Sequence, residues 1–394
     1  MPEWKEIRFE EIFKIPLKNG LTKPSKVRGD GLRMVNMKEI FGYDFIDDST
    51  PMELVPVTRD EVSFSLEHND LLFARQSLVE AGAGKIAIYK GHGETVFESH
   101  LIRCRIDNTL ALPDFVYYLF KSPVGKKTVS TIVEQVAAAG IRGSDLKNLR
   151  FTIPQLPEQI QIARILSSLD DKIDLLERQN KTLEQLAKTL FRQWFVEEAE
   201  ENWETKKIID VAEINSKTIS KNYPFKEIEY LDTGSITEGI IEGFQNLKLT
   251  DAPSRAQRII NDNDIVYSVV RPIQRHYGLL NDLKPNAVAS TGFCVLTATH
   301  VSPHFIYLML TSDESVEYFD VLAEASTSTY PSLKPSDIAN FEFRMPPLEK
   351  LESFSKYATN AWNKIKSNTN QIRTLTQLRD TLLPKLMSGE VRIL

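Results

Sequence analysis

The chain has 394 residues, 42% of them hydrophobic and 26% charged, which is the balance of a globular protein and not of a disordered one. That length exceeds what one ordinary core organises, so two domains are expected, and no apolar run reaches the roughly 18–20 residues that a membrane span requires. The formal net charge of −6 argues against a uniformly basic nucleic-acid binder while leaving room for a local basic patch.

The opening Met1-Pro2-Glu3-Trp4-Lys5-Glu6 has neither the basic nor the apolar region of a secretory signal. Cys104 and Cys294 both lie in apolar surroundings and suit a reducing cytoplasm, where they pack as small core residues. A cytoplasmic protein is therefore expected. Residues 1–152 read as a first mixed globule. Within it, Asp70-Leu71-Leu72-Phe73-Ala74-Arg75 reads as a strand bounded by turn residues, and Pro113 to Ser122 as a helix with proline in its first turn.

Residues 153–200 read as a long helix. Its apolar positions step alternately by three and four through Leu166, Leu169, Ile173, Leu176, Asn180, Leu183, Ala187, Leu190 and Trp194. That is a heptad seam interrupted once by a polar residue. Residues 201–344 form a second mixed globule, with a strand at Asp264 to Arg271 and a helix at Pro303 to Ser312. Residues 345–394 give a second long helix and a tail, with Ala358, Ala361, Ile365, Asn368, Ile372, Leu375, Arg379, Leu382 and Leu386 in the same phase. Prolines at 154, 157, 346 and 347 punctuate each passage from globule to helix.

The second half repeats the first. Thr182-Leu183-Glu184-Gln185-Leu186 returns 192 residues later as Thr374-Leu375-Thr376-Gln377-Leu378, and Asp145-Leu146 returns as Asp337-Ile338. Equivalent helices related by a local two-fold pack antiparallel. A register that sets Asn180 against Asn368 also sets Leu176 against Ile372, Leu183 against Ile365 and Ile173 against Leu375. The expected fold is α/β (α+β): two globules separated by two long helices packed as an antiparallel coiled coil, with an internal pseudo-two-fold.

Catalytic constellations are missing. There is no glycine-rich phosphate loop, and the six histidines show no metal spacing. Pro113-Asp114 followed by Asp145-Leu146-Lys147 fits a loose nuclease pattern, but the second copy has His304 and Ala339 where a carboxylate and the lysine would stand. No resident cofactor, no metal and no catalytic residue is expected. The residues that remain suit binding. Arg75-Gln76 and Arg271-Pro272-Ile273-Gln274-Arg275-His276 follow equivalent strands, and arginine and glutamine can bond guanine and adenine edges in a bidentate way. Lys85, Arg142, Arg255, Arg258 and Lys334 are further candidates for phosphate contact.

Trp4-Lys5-Glu6-Ile7 and Trp203-Glu204-Thr205-Lys206 open the two globules, Leu66 to Arg75 lies in the first, Leu149 to Gln159 leads into the first long helix, and Leu382-Leu383-Pro384-Lys385-Leu386-Met387-Ser388-Gly389-Glu390-Val391 closes the second. In these segments, their order and their duplication, the chain resembles the specificity (S) subunits of type I restriction-modification systems. The resemblance implies two target recognition domains, each reading half of an asymmetric bipartite site in double-stranded DNA. It implies a coiled coil that docks two methyltransferase (M) subunits, and motor-nuclease (R) subunits in the full complex of a bacterial or archaeal cytoplasm. S-adenosylmethionine, ATP and magnesium would belong to those partners. Half-sites about one helical turn apart, ~34–36 Å, would fit two readers on one face of the duplex. Two other readings remain: the recognition part of a fused restriction-modification enzyme, and a duplicated coiled-coil scaffold with no DNA role.

Overall fold

A computed structural model describes residues 4–77, 82–135, 139–326 and 330–393. Two compact units emerge. One takes residues 1–176 together with 370–394, and the other takes 177–369. This division differs from one drawn between globules and helices, because each unit contains a globule and a segment of both long helices.

In the first unit a five-stranded sheet runs in the order Phe13–Asn19, Leu101–Ile106, Leu71–Ala74, Ile86–Tyr89, Phe45–Ile46. All its neighbours are antiparallel except the last pair. Leu71–Ala74 is buried at every position because both faces of the sheet are covered. Leu71 and Phe73 enter a core built on the helix Pro113–Lys121, while Leu72 and Ala74 enter a second core against Val35, Ile40 and Phe97. The first core also receives Ile162, Ala163 and Leu166 from one long helix and Leu386 and Met387 from the other.

The second unit repeats this plan. Its first sheet is ordered Ala212–Ile214, Phe293–Ala298, Ile265–Ser268, Tyr277–Leu279, and a second sheet holds Gln245–Lys248, Glu227–Leu231, Ala287–Ser290 and Ala256–Ile259. Ile265 and Tyr267 face the core of Phe305, Ile306 and Phe319, and Val266 faces the opposite one. Each copy turns into its central strand by the same device. Asn69 (φ 73°) and Asn263 (φ 69°) take the left-handed conformation that asparagine tolerates. The buried carboxylates of Asp70 and Asp264 then accept the backbone N–H of Glu67 and Asn261, both at 2.7 Å.

The expected helices at 113–122 and 303–312 stop at Lys121 and Leu310. Ser122 and Ser312 instead cap the helices Pro123–Ser130 and Asp313–Glu324, accepting the N–H of Gly125 and Ser315 at 3.1 Å. These two helices lie beyond the expected ones. Cys104 and Cys294 are free and buried, and burial pushes the Cys294 thiol up to about 12. Among the described residues no helix is long and apolar enough to cross a membrane.

The long helices span Leu156–Arg192 and Leu348–Met387. In the second unit the Asn368 side-chain amide donates to Asn180 Oδ1 at 2.9 Å, and Asn368 is fully buried. Leu183 and Ile365 are partly buried, and Leu190, also partly buried, packs against the core of the second globule. In the first unit Ile173 and Leu176 are buried, while Leu169, Ile372, Leu375 and Leu382 are partly so. Burial departs from the heptad near the globules. Asp170 is more buried than its neighbour Leu169, and Phe191 more than Leu190. There a globule covers the flank of the helix, so the protected stripe is wider than a two-helix seam. Asp170 is accommodated because Tyr118 Oη donates to it at 2.7 Å and Arg379 at 2.8 Å. The seam arginine thus answers a buried charge.

Candidate functional site

In the first unit the strand Leu71–Ala74 continues outward as Arg75-Gln76-Ser77. The Arg75 N–H donates to the His100 carbonyl at 2.8 Å, and its own carbonyl accepts from Ile141 at 2.9 Å. Gln76–Ser77 then pairs with Ala139–Gly140, which pairs with Glu134–Gln135. This three-stranded ribbon presents Gln76 and Arg142 to solvent, with Arg142 held by Glu134 at 2.6 Å. Lys85 does not join it. Its ammonium donates to the Phe41 carbonyl at 2.9 Å, over the Phe41 ring, and desolvation lowers its pKa.

In the second unit the same outward path runs through Val269, whose N–H donates to Gly292 and whose carbonyl accepts from Leu333 at 2.7 Å. The bridging positions show that Gln76 opposite Gly140 corresponds to Val270 opposite Ser332, 192 residues after Gly140. The counterpart of Gln76 is therefore Val270. Arg271 stands one step further, where the first copy has Ser77. The matched placement of the two arginines expected from sequence does not hold, because the second loop begins later.

That loop is held in an unusual shape. Arg271 (φ 48°, ψ 68°) and Arg275 (φ 56°, ψ 36°) are both left-handed and bracket the turn Pro272–Gln274. Each such residue costs about 1–3 kcal/mol and persists only where its surroundings impose it. The surroundings are visible. The Arg271 N–H donates to Pro331 O at 3.1 Å, and the Ile273 N–H to Asp320 Oδ1 at 3.2 Å. Arg275 bonds Asp313 at 2.6 Å and lies 3.6 Å from Glu238, and the Asp313 bond leads the interactions that raise its pKa. The His276 Nδ1 is 2.7 Å from the Ile236 carbonyl.

Several predicted cations meet at this edge. Arg255 bonds Asp232 at 2.6 Å, and its carbonyl accepts from Thr291, beside the Gly292 that receives Val269. Lys334 follows Leu333 and is exposed, with its N–H on Asp337 Oδ2 at 2.7 Å. Arg271 and Gln274 are exposed, and the Arg271 guanidinium lies 5.4 Å from the Tyr330 ring centroid. Arg258 is set apart. It points inward, with a buried Nε that has no hydrogen-bond partner among the described residues. Sequence reading missed Tyr330, the exposed apolar Val270 and Ile273, and the acids that park the arginines. A comparison of the copies could have drawn attention to Val270 only once the register was known.

The ion pairs do not withdraw these cations from use. Arg142 and Arg255 keep 67% and 55% of their side-chain surface. Exposed pairs are worth about 0–1 kcal/mol, so exchanging a carboxylate for a phosphate costs little. The nuclease-like residues are not assembled: Asp114 pairs with Lys90 at 2.5 Å and Lys147 with Glu10 at 3.5 Å. Among the described residues no cluster of metal-ligating side chains occurs.

Residues 1–185 and 200–377 each match the family model described as the type I restriction modification DNA specificity domain. The chain is 27% identical over 434 residues to the type I restriction enzyme MjaIX specificity subunit of Methanocaldococcus jannaschii, across 99% of this chain and 94% of that one. It is 28% identical over 172 residues to the HindI specificity subunit of Haemophilus influenzae, across 42% of this chain and 38% of that one. A solved type I restriction-modification S subunit from M. genitalium has the same fold, with a TM-score of 0.64 at 16% identity, covering 98% of this chain and 96% of that one.

Proposed function

The chain belongs to the family of type I restriction-modification specificity subunits, and from that premise we propose that each globule reads one half of an asymmetric bipartite DNA site. The observation that carries this is the pair of outward edges, built on equivalent strands yet different in residue and in shape. One offers Gln76 on a three-stranded ribbon with Arg142 beside it, and the other offers Arg271 and Gln274 on a strained loop. Different edges on a common scaffold read different words.

In this reading Arg271 and Gln274 address base edges in the major groove, and Arg142, Arg255 and Lys334 position the backbone. Arg75 and His276 support the edges from behind. Arg275 stays as a strut, tied to Asp313 and Glu238. The exposed flanks of the long helices, where Leu175, Leu186 and Leu378 keep over two-fifths of their surface, dock two methyltransferase subunits. Those subunits supply S-adenosylmethionine chemistry, and motor-nuclease subunits supply ATP-driven cleavage. The chain itself contributes recognition and no bond-breaking group.

The test is sequencing of methylated sites in cells that carry this subunit with its methyltransferase. A bipartite motif with unlike halves and a fixed spacer is expected. A palindromic motif, or methylation without sequence preference, overturns the proposal.

A further inference from the structure

Trp4 and Trp203 open the two globules, and each has a buried indole N–H without a hydrogen-bond partner among the described residues. Each ring also carries a cation. The Arg392 guanidinium lies 5.8 Å from the Trp4 ring centroid, and the Lys350 ammonium 5.5 Å from that of Trp203. Both cations are ion-paired, Arg392 to Glu158 through bonds of 2.6 and 2.7 Å and Lys350 to Glu198 at 3.3 Å.

The repeat shift of 192 residues carries Glu158 onto Lys350. The two clasps are therefore built alike but with opposite polarity. In the first unit the start of a long helix supplies the carboxylate, and the segment after the other long helix supplies the cation. In the second unit the helix start supplies the cation and the segment after the other helix supplies the carboxylate. A duplicated chain would ordinarily keep one polarity.

We propose that this reversal is a pairing code, which makes each half of the chain accept the other half and reject a second copy of itself. Each compact unit is assembled from both halves, so the halves must recognise each other. Cross-pairing sets Glu158 against Arg392 and Lys350 against Glu198. Two first halves would set Glu158 against Glu198, and two second halves would set Lys350 against Arg392. Every clasp in a like-with-like assembly then carries like charges beside a tryptophan, while every clasp in the cross-paired one is satisfied. Specificity of this kind arises from repulsion in the wrong state as much as attraction in the right one. The inference stands on the duplication and these contacts, independently of what the globules read.

The experiment uses the full chain with a protease site inserted between Glu200 and Glu201. The folded protein is cut, taken through mild denaturant to let halves exchange, and weighed by native mass spectrometry, where the three possible pairings differ in mass. Wild type is expected to return cross-paired halves almost alone. Glu158→Lys combined with Lys350→Glu inverts the code, and the ratio of like to cross pairs should rise at least about tenfold. Adding Glu198→Lys and Arg392→Glu restores cross-pairing. Glu158→Lys with Arg392→Glu keeps an ion pair in each clasp but makes the polarities equal, so like pairs should appear there even if the first variant folds poorly. A ratio unchanged from wild type in both variants overturns the proposal, as does abundant like-pairing of the wild type.

Discussion

Arg271 is the residue on which the reading of the second half-site turns. It is exposed, lies over Tyr330 and is fixed by a backbone that its own sequence does not favour. Arg271→Ala should cost about 1–3 kcal/mol of base discrimination. It should relax preference in one half of the methylated motif and leave the other intact. Unchanged preference in both halves counts against this assignment. A second residue reports on pH. His304 is buried, with its Nδ1 3.1 Å from Ser302 Oγ and its ring 4.8 Å from that of Trp362, and burial pushes its pKa down to about 4. The folded state therefore holds it neutral, whereas an unfolded histidine protonates near 6.5. Its contribution is whole above pH 6.5 and is lost as pH falls toward 4, by an amount on the order of 3 kcal/mol. Thermal melts should show the second unit weakening over that window, and His304→Gln should flatten the curve. At this scale the sequence was partly legible. Exposed arginines could be named, but left-handed φ at Arg271 and Arg275 could not, since no glycine marks them. Asp313, which bonds Arg275, and Asp320, which accepts the Ile273 N–H, lie 38 and 47 residues further along the chain.

Among the elements, the seam was the most legible, because a 3.5-residue period survives in sequence without any knowledge of the globules. The break in that period at Asn180 and Asn368 located a contact that the structure has at 2.9 Å. Asn180→Leu together with Asn368→Leu should raise the melting temperature of the helix pair while weakening its choice of one register. Calorimetry and disulfide trapping between the helices would measure the two effects. A melting temperature that falls would mean the asparagines contribute more than register. What the period hid was the flank. Asp170 looks like a solvated charge in the heptad, yet Tyr118 and Arg379 reach it from different directions. A charge buried by a third element cannot be found from a two-helix pattern. The short helices after Ser122 and Ser312 were hidden for another reason: Ser122 ends one helix and caps the next, and Thr311 ends the equivalent helix directly before Ser312 caps its successor, so the serines read as stops and not as new starts.

At the scale of the whole molecule, the acidic balance of −6 sets what recognition can achieve without help. Binding of duplex DNA by the chain alone should fall steeply with salt, with a logarithmic slope of about −0.9 for each phosphate engaged. Methyltransferase subunits that add contacts should steepen that slope, and a salt-independent affinity in either case would exclude phosphate contacts. The two compact units carry a different consequence, one about time. The second unit is a single unbroken segment, 177–369, whereas the first needs residues 370–394 to cover Ile162 and Leu166 with Leu386 and Met387. A chain grown from its N-terminus makes the first globule early but must hold its apolar helix flank open until residues 370–394 arrive. Closing so long a loop adds little free energy, since that cost grows only with the logarithm of length, but it delays completion. The part synthesised first is finished last.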